Sequence, residues 1–181
     1  MSLTSRSCIA LDPVPVNKYA FFVIAAFPGS FDPPTLGHIN IIQRASAIFD
    51  EICVVIAENH LKKYFFNAEE RFELMSSLVK PWKNVSVALC RGLVVDFMKE
   101  KGISLLLRGI REGDFSYEFE LSMMNKQLNP DIETVFLTTE PKYSFIRSST
   151  IKEIGSFGGD ISLMVSPEVT RAIKEKLKNI Q

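Results

Sequence analysis

Apolar residues follow two alternating patterns along the chain, which predict a regular succession of strands and helices. Short unbroken apolar runs indicate strands buried on both faces, whereas apolar residues three or four positions apart indicate helices with one buried face. In 37–49, for example, Ile39, Ile42 and Ala45 recur at helical spacing. The patterns predict strands at 20–26, 52–57, 85–89, 105–107 and 134–137, and helices at 37–49, 68–79, 94–101, 115–128, 148–154 and 167–179.

The order of these elements predicts the fold. Strands that alternate with single helices require right-handed crossovers and therefore a mainly parallel sheet. We predict an α/β fold: a Rossmann-like, doubly wound, five-stranded sheet with helices on both faces, whose ligands bind at the carboxyl ends of the strands. Residues 1–18 contain several prolines and no sustained period, so we predict a flexible extension followed by one domain over 19–181.

Composition narrows the possible functions. The 181 residues, 46% of them hydrophobic, suffice for one core, and 21 basic residues balance 21 acidic ones, which argues against non-specific nucleic-acid binding. Cys8, Cys53 and Cys90 are far apart and form no CxxC pair, which argues against a disulfide framework or a zinc site. The apolar runs are far shorter than the roughly 20 residues of a membrane span, and no export signal is evident, so we predict a cytoplasmic protein.

The segment between the first predicted strand and helix combines glycines, hydroxyls and a histidine. It reads PGSFDPPTLGH over 28–38, and we predict a turn from 28 to 34. Gly29 and Gly37 permit close approach of a ligand to the backbone, the new helix directs unpaired N–H groups toward anions, and His38 adds a donor. The alternative is an ordinary turn in which Thr35 only caps the helix. The coincidence of all three features favours phosphate binding.

A second basic cluster, Arg108-Gly109-Ile110-Arg111, follows the fourth predicted strand. Arginine binds phosphate well because its planar fork makes paired, charge-assisted hydrogen bonds. The alternative for these arginines is a salt bridge to Glu112, Asp114 or Glu118. Because the cluster lies at the same edge of the sheet, we favour contact with phosphate.

Two further segments reach this edge. The run YSFIRSST, at 143–150, offers hydroxyls and amides at the start of a helix, although such a run also serves as an ordinary cap. Lys62 and Lys63 follow the second predicted strand and add positive charge. We interpret the edge as a site for a polyphosphate.

The motifs PGSFDPPTLGH, RGIR, DFSYE and SFIRSST, in this order, make residues 20–178 resemble bacterial phosphopantetheine adenylyltransferase. The TxGH turn alone indicates only the nucleotidyltransferase superfamily, whereas the RGxR, YE and MNK series is narrower. The resemblance implies an enzyme of coenzyme A biosynthesis that transfers AMP from ATP to 4′-phosphopantetheine and releases dephospho-coenzyme A and pyrophosphate. It also implies a Mg²⁺ cofactor and a homohexamer.

The resemblance further implies roles for individual residues. The implied catalytic residues are His38, Lys62 and Arg111. The implied ATP ligands are Gly29, Ser30, Phe31, His38, Gly109, Arg111, Glu118, Tyr143, Ser144, Phe145, Ile146, Arg147, Ser148 and Ser149. The implied phosphopantetheine ligands are Ser30, Lys62, Leu93, Val94, Arg108, Met124 and Asn125. Two departures, Arg147 in place of a common serine and a shorter loop at Glu112, leave the contacts of those two residues open.

The chemistry implied needs no protein nucleophile. The acceptor phosphate is already ionised and attacks the α-phosphorus of ATP in line, so the protein must position two polyanions and stabilise the developing charge. No acidic pair dedicated to Mg²⁺ is evident, so the ion is expected to arrive with ATP. Three alternatives stay open: a nicotinamide-nucleotide adenylyltransferase, a cytidylyltransferase, and a non-catalytic nucleotide-binding module.

Overall fold

The computed structural model describes residues 22–111 and 113–179, and within them it forms a five-stranded sheet with six α-helices. The predicted extension over 1–18 lies outside these residues. The strands are β1 (Ile24–Gly29), β2 (Glu51–Ala57), β3 (Val85–Cys90), β4 (Leu105–Ile110) and β5 (Glu133–Thr138). The helices are α1 (Leu36–Ser46), α2 (Ala68–Val79), α3 (Val94–Lys101), α4 (Phe115–Leu128), α5 (Ser148–Ser156) and α6 (Pro167–Lys178), and a 3₁₀ turn spans Pro141–Tyr143.

The sheet has the strand order β3-β2-β1-β4-β5, and every neighbouring pair is parallel. The chain therefore winds outward in one direction from β1 to β3 and then crosses back to β4. Where the direction reverses, between β1 and β4, the loops that follow the two strands turn to opposite faces and leave a crevice. The predicted Rossmann-like class is confirmed, and the topology directs attention to this crevice.

Helices cover both faces of the sheet, as predicted. Successive residues of β1 point to opposite sides: Ala25 packs in the cluster with α1 and α2, and Ala26 in the cluster with α3. A third cluster, centred on Ile151 of α5 and Ile173 of α6, packs against Phe66 at the edge of the domain. No helix in the part of the chain that the structure describes has the length and apolar character needed to cross a membrane.

Two predicted strands end too early. β1 continues to Gly29, although we placed 28–34 in a turn, because Pro28 and Gly29 pair with Val55 and Ile56 of β2. Pairing of β1 with β4 stops at Ala26, so Pro28 lies where one side of the strand has no ladder, a position that proline tolerates. β4 likewise continues to Ile110, so Arg108 and Gly109 lie within the strand.

The first predicted helix extends too far. α1 ends at Ser46 and not at Phe49, and Ile48, which lies beyond its end, is 62% exposed. In contrast, α2, α3 and α4 have the predicted bounds. The ends of the elements, more than the elements themselves, depend on contacts distant in the sequence.

Candidate active site

A cavity of about 370 Å³ opens at the carboxyl ends of β1 and β4. It brings together most of the site residues predicted from the sequence: Gly29, Ser30, Phe31, His38, Arg108, Gly109, Arg111, Glu118, Tyr143, Ile146, Arg147, Ser148 and Ser149. An adjoining cavity of about 310 Å³ shares Ser30, Phe31, His38 and Ser148 with it and is also lined by Lys62. Four segments distant in the sequence therefore converge on one crevice.

Six predicted ligands line neither cavity: Ser144, Phe145, Leu93, Val94, Met124 and Asn125. Leu93, Met124 and Phe145 are each more than half exposed. The slot expected for the pantetheine arm is thus not enclosed by this chain alone. The roles of these six residues stay predictions.

The side chain of His38 is fixed in one orientation by the helix start. Thr35 caps α1: its Oγ1 accepts a hydrogen bond from His38 N (3.2 Å), and Thr35 N donates to His38 Nδ1 (3.0 Å). An acceptor role for Nδ1 requires the proton of the neutral ring to be on Nε2. The Phe31 ring packs edge-on against the imidazole, with 4.9 Å between ring centres. His38 is therefore oriented to act as a hydrogen-bond donor through Nε2.

Burial, with added repulsion from Arg111 and Arg108, lowers the pKa of His38 from 6.5 to about 4. The ring is therefore neutral at physiological pH, and it is not present as an imidazolium that could act as a general acid. As a neutral group, the ring can donate a hydrogen bond through Nε2.

We expect the pKa of His38 to be measurably below the ordinary value for a histidine. Between about pH 4 and 6.5 the unfolded chain binds a proton on His38 that the folded chain does not. His38 therefore destabilises the folded protein at low pH, and the free energy of unfolding rises with pH until this penalty has disappeared above about 6.5. Proton NMR of the ring hydrogens, assigned with a His60→Gln variant, measures the pKa directly. A His38 midpoint near 6.5 would contradict the assignment.

The amides at the start of α1 are less available than the sequence led us to expect. Leu36 N donates to Met164 O (2.9 Å), and His38 N is used by the Thr35 cap. Among the first three amides of the helix, only that of Gly37 has no acceptor within residues 22–111 and 113–179. α1 therefore offers one backbone donor to an anion.

The start of α5 offers more free backbone amides than the start of α1. The cap position is occupied by Arg147, whose side chain makes no capping bond, and Ser148 Oγ donates to Pro33 O (2.9 Å). The amides of Ser148, Ser149 and Thr150 have no acceptor in the described chain. The Ser/Thr run therefore does not cap α5 through a side chain, and Ser148 and Ser149, which carry two of the three free amides, line the cavity at the positive end of the helix dipole.

Both arginines of the RGIR cluster line the cavity and also form ion pairs. Arg108 Nε and Nη2 donate to the two oxygens of Glu118 (2.6 and 2.7 Å), and its Nη1 donates to Pro28 O (2.9 Å). Arg111 Nε donates to Asp114 (2.8 Å), and its Nη1 donates to Ile146 O (2.8 Å). Because a guanidinium has five N–H groups, each arginine keeps donors for a ligand while its plane is held in place.

Packing within the protein explains why glycine occupies two positions of the site, which the sequence alone did not indicate. A Cβ on Gly29 would lie 2.8 Å from Cζ of Phe31, whose φ is +48° and whose ring is 2% exposed, and a Cβ on Gly109 would lie 3.0 Å from Cγ1 of Ile41. A side chain at Gly29 would therefore displace the buried Phe31 ring, and one at Gly109 would require Ile41 to shift by a few tenths of an ångström. At Gly37 the nearest atom is Thr35 Oγ1 at 3.5 Å, an ordinary contact, so packing does not require this glycine.

Sequence reasoning missed four charged or polar residues that surround the Lys62 cavity. Asp32, Tyr64 and Lys152 line the cavity, and Arg71 lies behind it, where it donates to Ser30 O and contacts the Tyr64 ring. Asp32 is inside the motif at 28–38, so its position was a usable signal. The other three are brought to the site by contacts that no local pattern encodes.

Residues 26–154 match the sequence model of the family described as cytidylyltransferase-like. The chain is 48% identical to a phosphopantetheine adenylyltransferase of Thermotoga neapolitana and 49% identical to one of Clostridium tetani, in each case over 86% of this chain and 98% of the relative. Its fold is similar to that of Plasmodium falciparum nicotinic acid mononucleotide adenylyltransferase complexed with NaAD, with a TM-score of 0.63 and 17% identity, covering 86% of this chain and 96% of that one.

Proposed function

The chain belongs to the phosphopantetheine adenylyltransferases, within the cytidylyltransferase-like family, and on that premise we propose that its two joined cavities are the site of AMP transfer. The reaction takes ATP and 4′-phosphopantetheine to dephospho-coenzyme A and pyrophosphate, a step of coenzyme A biosynthesis. One observation carries the proposal for the site. Free amides from the starts of α1 and α5, two arginines and the Nε2 donor of His38 surround a single crevice.

The proposed mechanism is direct transfer. An oxygen of the acceptor phosphate attacks the α-phosphorus of ATP, the bond from that phosphorus to the bridging oxygen breaks, and pyrophosphate leaves. No proton needs to be removed, which agrees with a His38 whose lowered pKa keeps it neutral. We assign His38 and Arg111 to the phosphates of ATP and Lys62 to the point where the two substrates meet. These donors stabilise charge that develops on the transferred group.

The remaining predicted contacts follow the same scheme. We propose that ATP binds along β4 and the start of α5, including the untested Ser144 and Phe145, and that Arg108 binds the acceptor phosphate. Leu93, Val94, Met124 and Asn125 are proposed to receive the pantetheine arm. In the structure, Glu118 accepts two hydrogen bonds from Arg108 and so orients that side chain. The assignment of Glu118 to ATP therefore needs a direct test most of all.

Pyrophosphate release tests the proposal directly. The purified protein is supplied with ATP, Mg²⁺ and 4′-phosphopantetheine, and pyrophosphate is measured by a coupled assay. Parallel reactions replace ATP by CTP, or the acceptor by nicotinate mononucleotide. Release with ATP and phosphopantetheine alone supports the proposal. Release with another pair, or ATP binding without any release, would identify one of the alternative functions.

We expect Gly37→Ala to separate ligand binding from stability. The new methyl makes only ordinary contacts, and alanine is favoured over glycine in a helix by about 0.5–1 kcal/mol, so the melting temperature should not fall. The methyl stands beside the one free amide of α1, so kcat/KM for ATP should fall by roughly 10- to 100-fold, as for a lost hydrogen bond to a charged group.

The matched control for this variant is Gly29→Ala. Its methyl meets Phe31 inside the protein, so its melting temperature should fall. If Gly37→Ala keeps the kcat/KM of the wild type, the amide of Gly37 does not bind the nucleotide.

We propose that Mg²⁺ enters as a complex with ATP. The residues of the cavity do not form a metal site of their own: its carboxylates, Asp114 and Glu118, are paired with arginines, and the described residues contain no cluster of three His, Cys, Asp or Glu able to hold a metal. Phosphate oxygens and water are the ligands that this ion prefers in such a setting. Loss of pyrophosphate release in EDTA, restored by added Mg²⁺, is the expected result.

We also propose that the protein assembles as a homohexamer. α4 has one buried residue, Glu118, and exposes large apolar side chains on two sides of the helix: Phe115, Phe119 and Met123 on one side, and Tyr117, Met124 and Leu128 on the other. An exposed apolar surface of this kind is typical of a protein–protein interface. Sedimentation velocity is expected to give a hexamer that Met123→Lys dissociates. A monomeric wild type would contradict the proposal.

The proposed location is the cytoplasm, where ATP is abundant. Cys53 and Cys90 are free thiols, and both are buried. Free thiols are usual in a reducing compartment.

A further inference from the structure

Asp32 is charged but almost fully buried, and its carboxylate joins three segments of the site. It lies between β1 and α1 and is 5% exposed. Its Oδ1 accepts a hydrogen bond from Phe66 N (2.8 Å), and its Oδ2 accepts one from Phe65 N (3.0 Å) and one from Lys152 Nζ of α5 (2.8 Å). Both oxygens are therefore engaged within the protein, and the carboxylate acts as a clamp.

The two amides held by Asp32 directly follow the loop that carries Lys62, residues 59–64. Asn59 N donates to Tyr64 Oη (2.7 Å), which closes the loop, and Lys62 N donates to Asn59 O (2.9 Å). The loop is therefore a compact turn with its end attached to Asp32.

Arg71 contacts the same loop through the ring of Tyr64. Its side chain is fully buried, its guanidinium lies 4.0 Å from the centre of the Tyr64 ring, and its Nη1 donates to Ser30 O (2.8 Å). Ser30 and Asp32 belong to the same segment between β1 and α1. Two independent contacts thus connect the Lys62 loop to the segment that leads to His38.

We propose that Asp32 is a positioning residue for Lys62: it fixes the loop 59–64 relative to the start of α1, so that the Lys62 ammonium and the His38 donor act on the same phosphate. This inference rests on the proposed function. Lys62 is exposed and forms no ion pair with any described residue, so nothing in the described chain holds its ammonium except the loop itself. A shift of about 1 Å in a catalytic group costs up to about 100-fold in rate.

Asp32→Asn is the first test. Asparagine preserves the shape and one acceptor oxygen but removes the charge and the second acceptor, so one of the two amides is released. We expect kcat for pyrophosphate release to fall by roughly 10- to 100-fold, with the KM for ATP close to that of the wild type. Asn84→Ala is the matched control, because it loses two hydrogen bonds, to Ser46 O and Phe49 O, at the opposite edge of the sheet. It should keep the kcat of the wild type.

A double-mutant cycle with Lys62→Ala separates positioning from a general loss of structure. If Asp32 acts through Lys62, Asp32→Asn lowers kcat little further once Lys62 is absent. Should Asp32→Asn fail to fold, Tyr64→Phe replaces it, since it removes only the hydroxyl that closes the loop and keeps the ring beside Arg71. The same direction of effect, and the same loss of effect in the Lys62→Ala background, is expected.

The outcomes are distinguishable from failure of the proposed function. If the wild type releases pyrophosphate but the losses in the double variant multiply, or both loop variants keep the wild-type kcat, the positioning role is overturned and the function stands. If Lys62→Ala is fully active, the positioning role is likewise overturned. A wild type that releases no pyrophosphate contradicts the function and this inference together.

Discussion

His38→Ala is expected to lower kcat by about 100- to 1,000-fold, while the KM for ATP changes little. The reason is that, in the proposed mechanism, Nε2 of the neutral imidazole donates to charge that grows only as pyrophosphate departs, and loss of one such donor typically has an effect of about this size. Steady-state pyrophosphate release at varied ATP concentration measures both constants. Because the pKa of His38 is lowered to about 4, its state does not change between pH 6 and 8, and the loss should be constant over that range.

The variant also removes the acceptor for Thr35 N, so the cost of a lost cap must be controlled. Ser166→Ala provides that control, because it removes the hydrogen bond from Val169 N at the start of α6, away from both cavities. A lost cap lowers stability by about 1 kcal/mol and should leave kcat unchanged in that variant. An unchanged kcat in His38→Ala would exclude His38 from the chemical step.

Periodicity was sufficient to predict the elements of the fold. α2 begins and α3 ends where predicted because each has a local signal there: Asn67 and Glu70 form a capping box before α2, and Gly102 follows the last turn of α3. The ends of β1 and β4 could not be predicted in this way. Pro28 and Gly29 have the composition of a turn, and only their pairing with β2, more than 20 residues later, makes them part of a strand.

The sequence predicted which residues line the crevice better than it predicted the contacts between them. The motifs identified the residues that line the crevice, since strand ends of a parallel sheet meet at one edge. Which carboxylate pairs with which arginine was not predictable, because Glu112, Asp114 and Glu118 were all close in sequence to Arg108 and Arg111. The Asp32 clamp was also missed, because its partners Phe65 and Phe66 are 33 and 34 residues away and donate only backbone amides.

Lys62→Ala is expected to have an effect on kcat comparable to that of His38→Ala, about 100- to 1,000-fold. The ammonium is proposed to lie where two polyanions meet, so its loss leaves their repulsion uncompensated and removes a donor from the transferred phosphate. Lys63→Ala is the matched control: it removes the same charge from the same exposed loop, so it reproduces any long-range effect on the potential of the site.

Comparison of the two lysine variants distinguishes a direct contact between the Lys62 ammonium and the phosphates from a general positive potential at the site. A field acts over a Debye length of about 8 Å at physiological ionic strength and weakens with salt, so it predicts similar losses in both variants and smaller ones at high salt. A placed ammonium predicts a large, salt-insensitive loss in kcat for Lys62→Ala and a far smaller one for Lys63→Ala. Equal losses would mean that the loop only attracts substrate, and the reason for clamping it to Asp32 would then disappear as well.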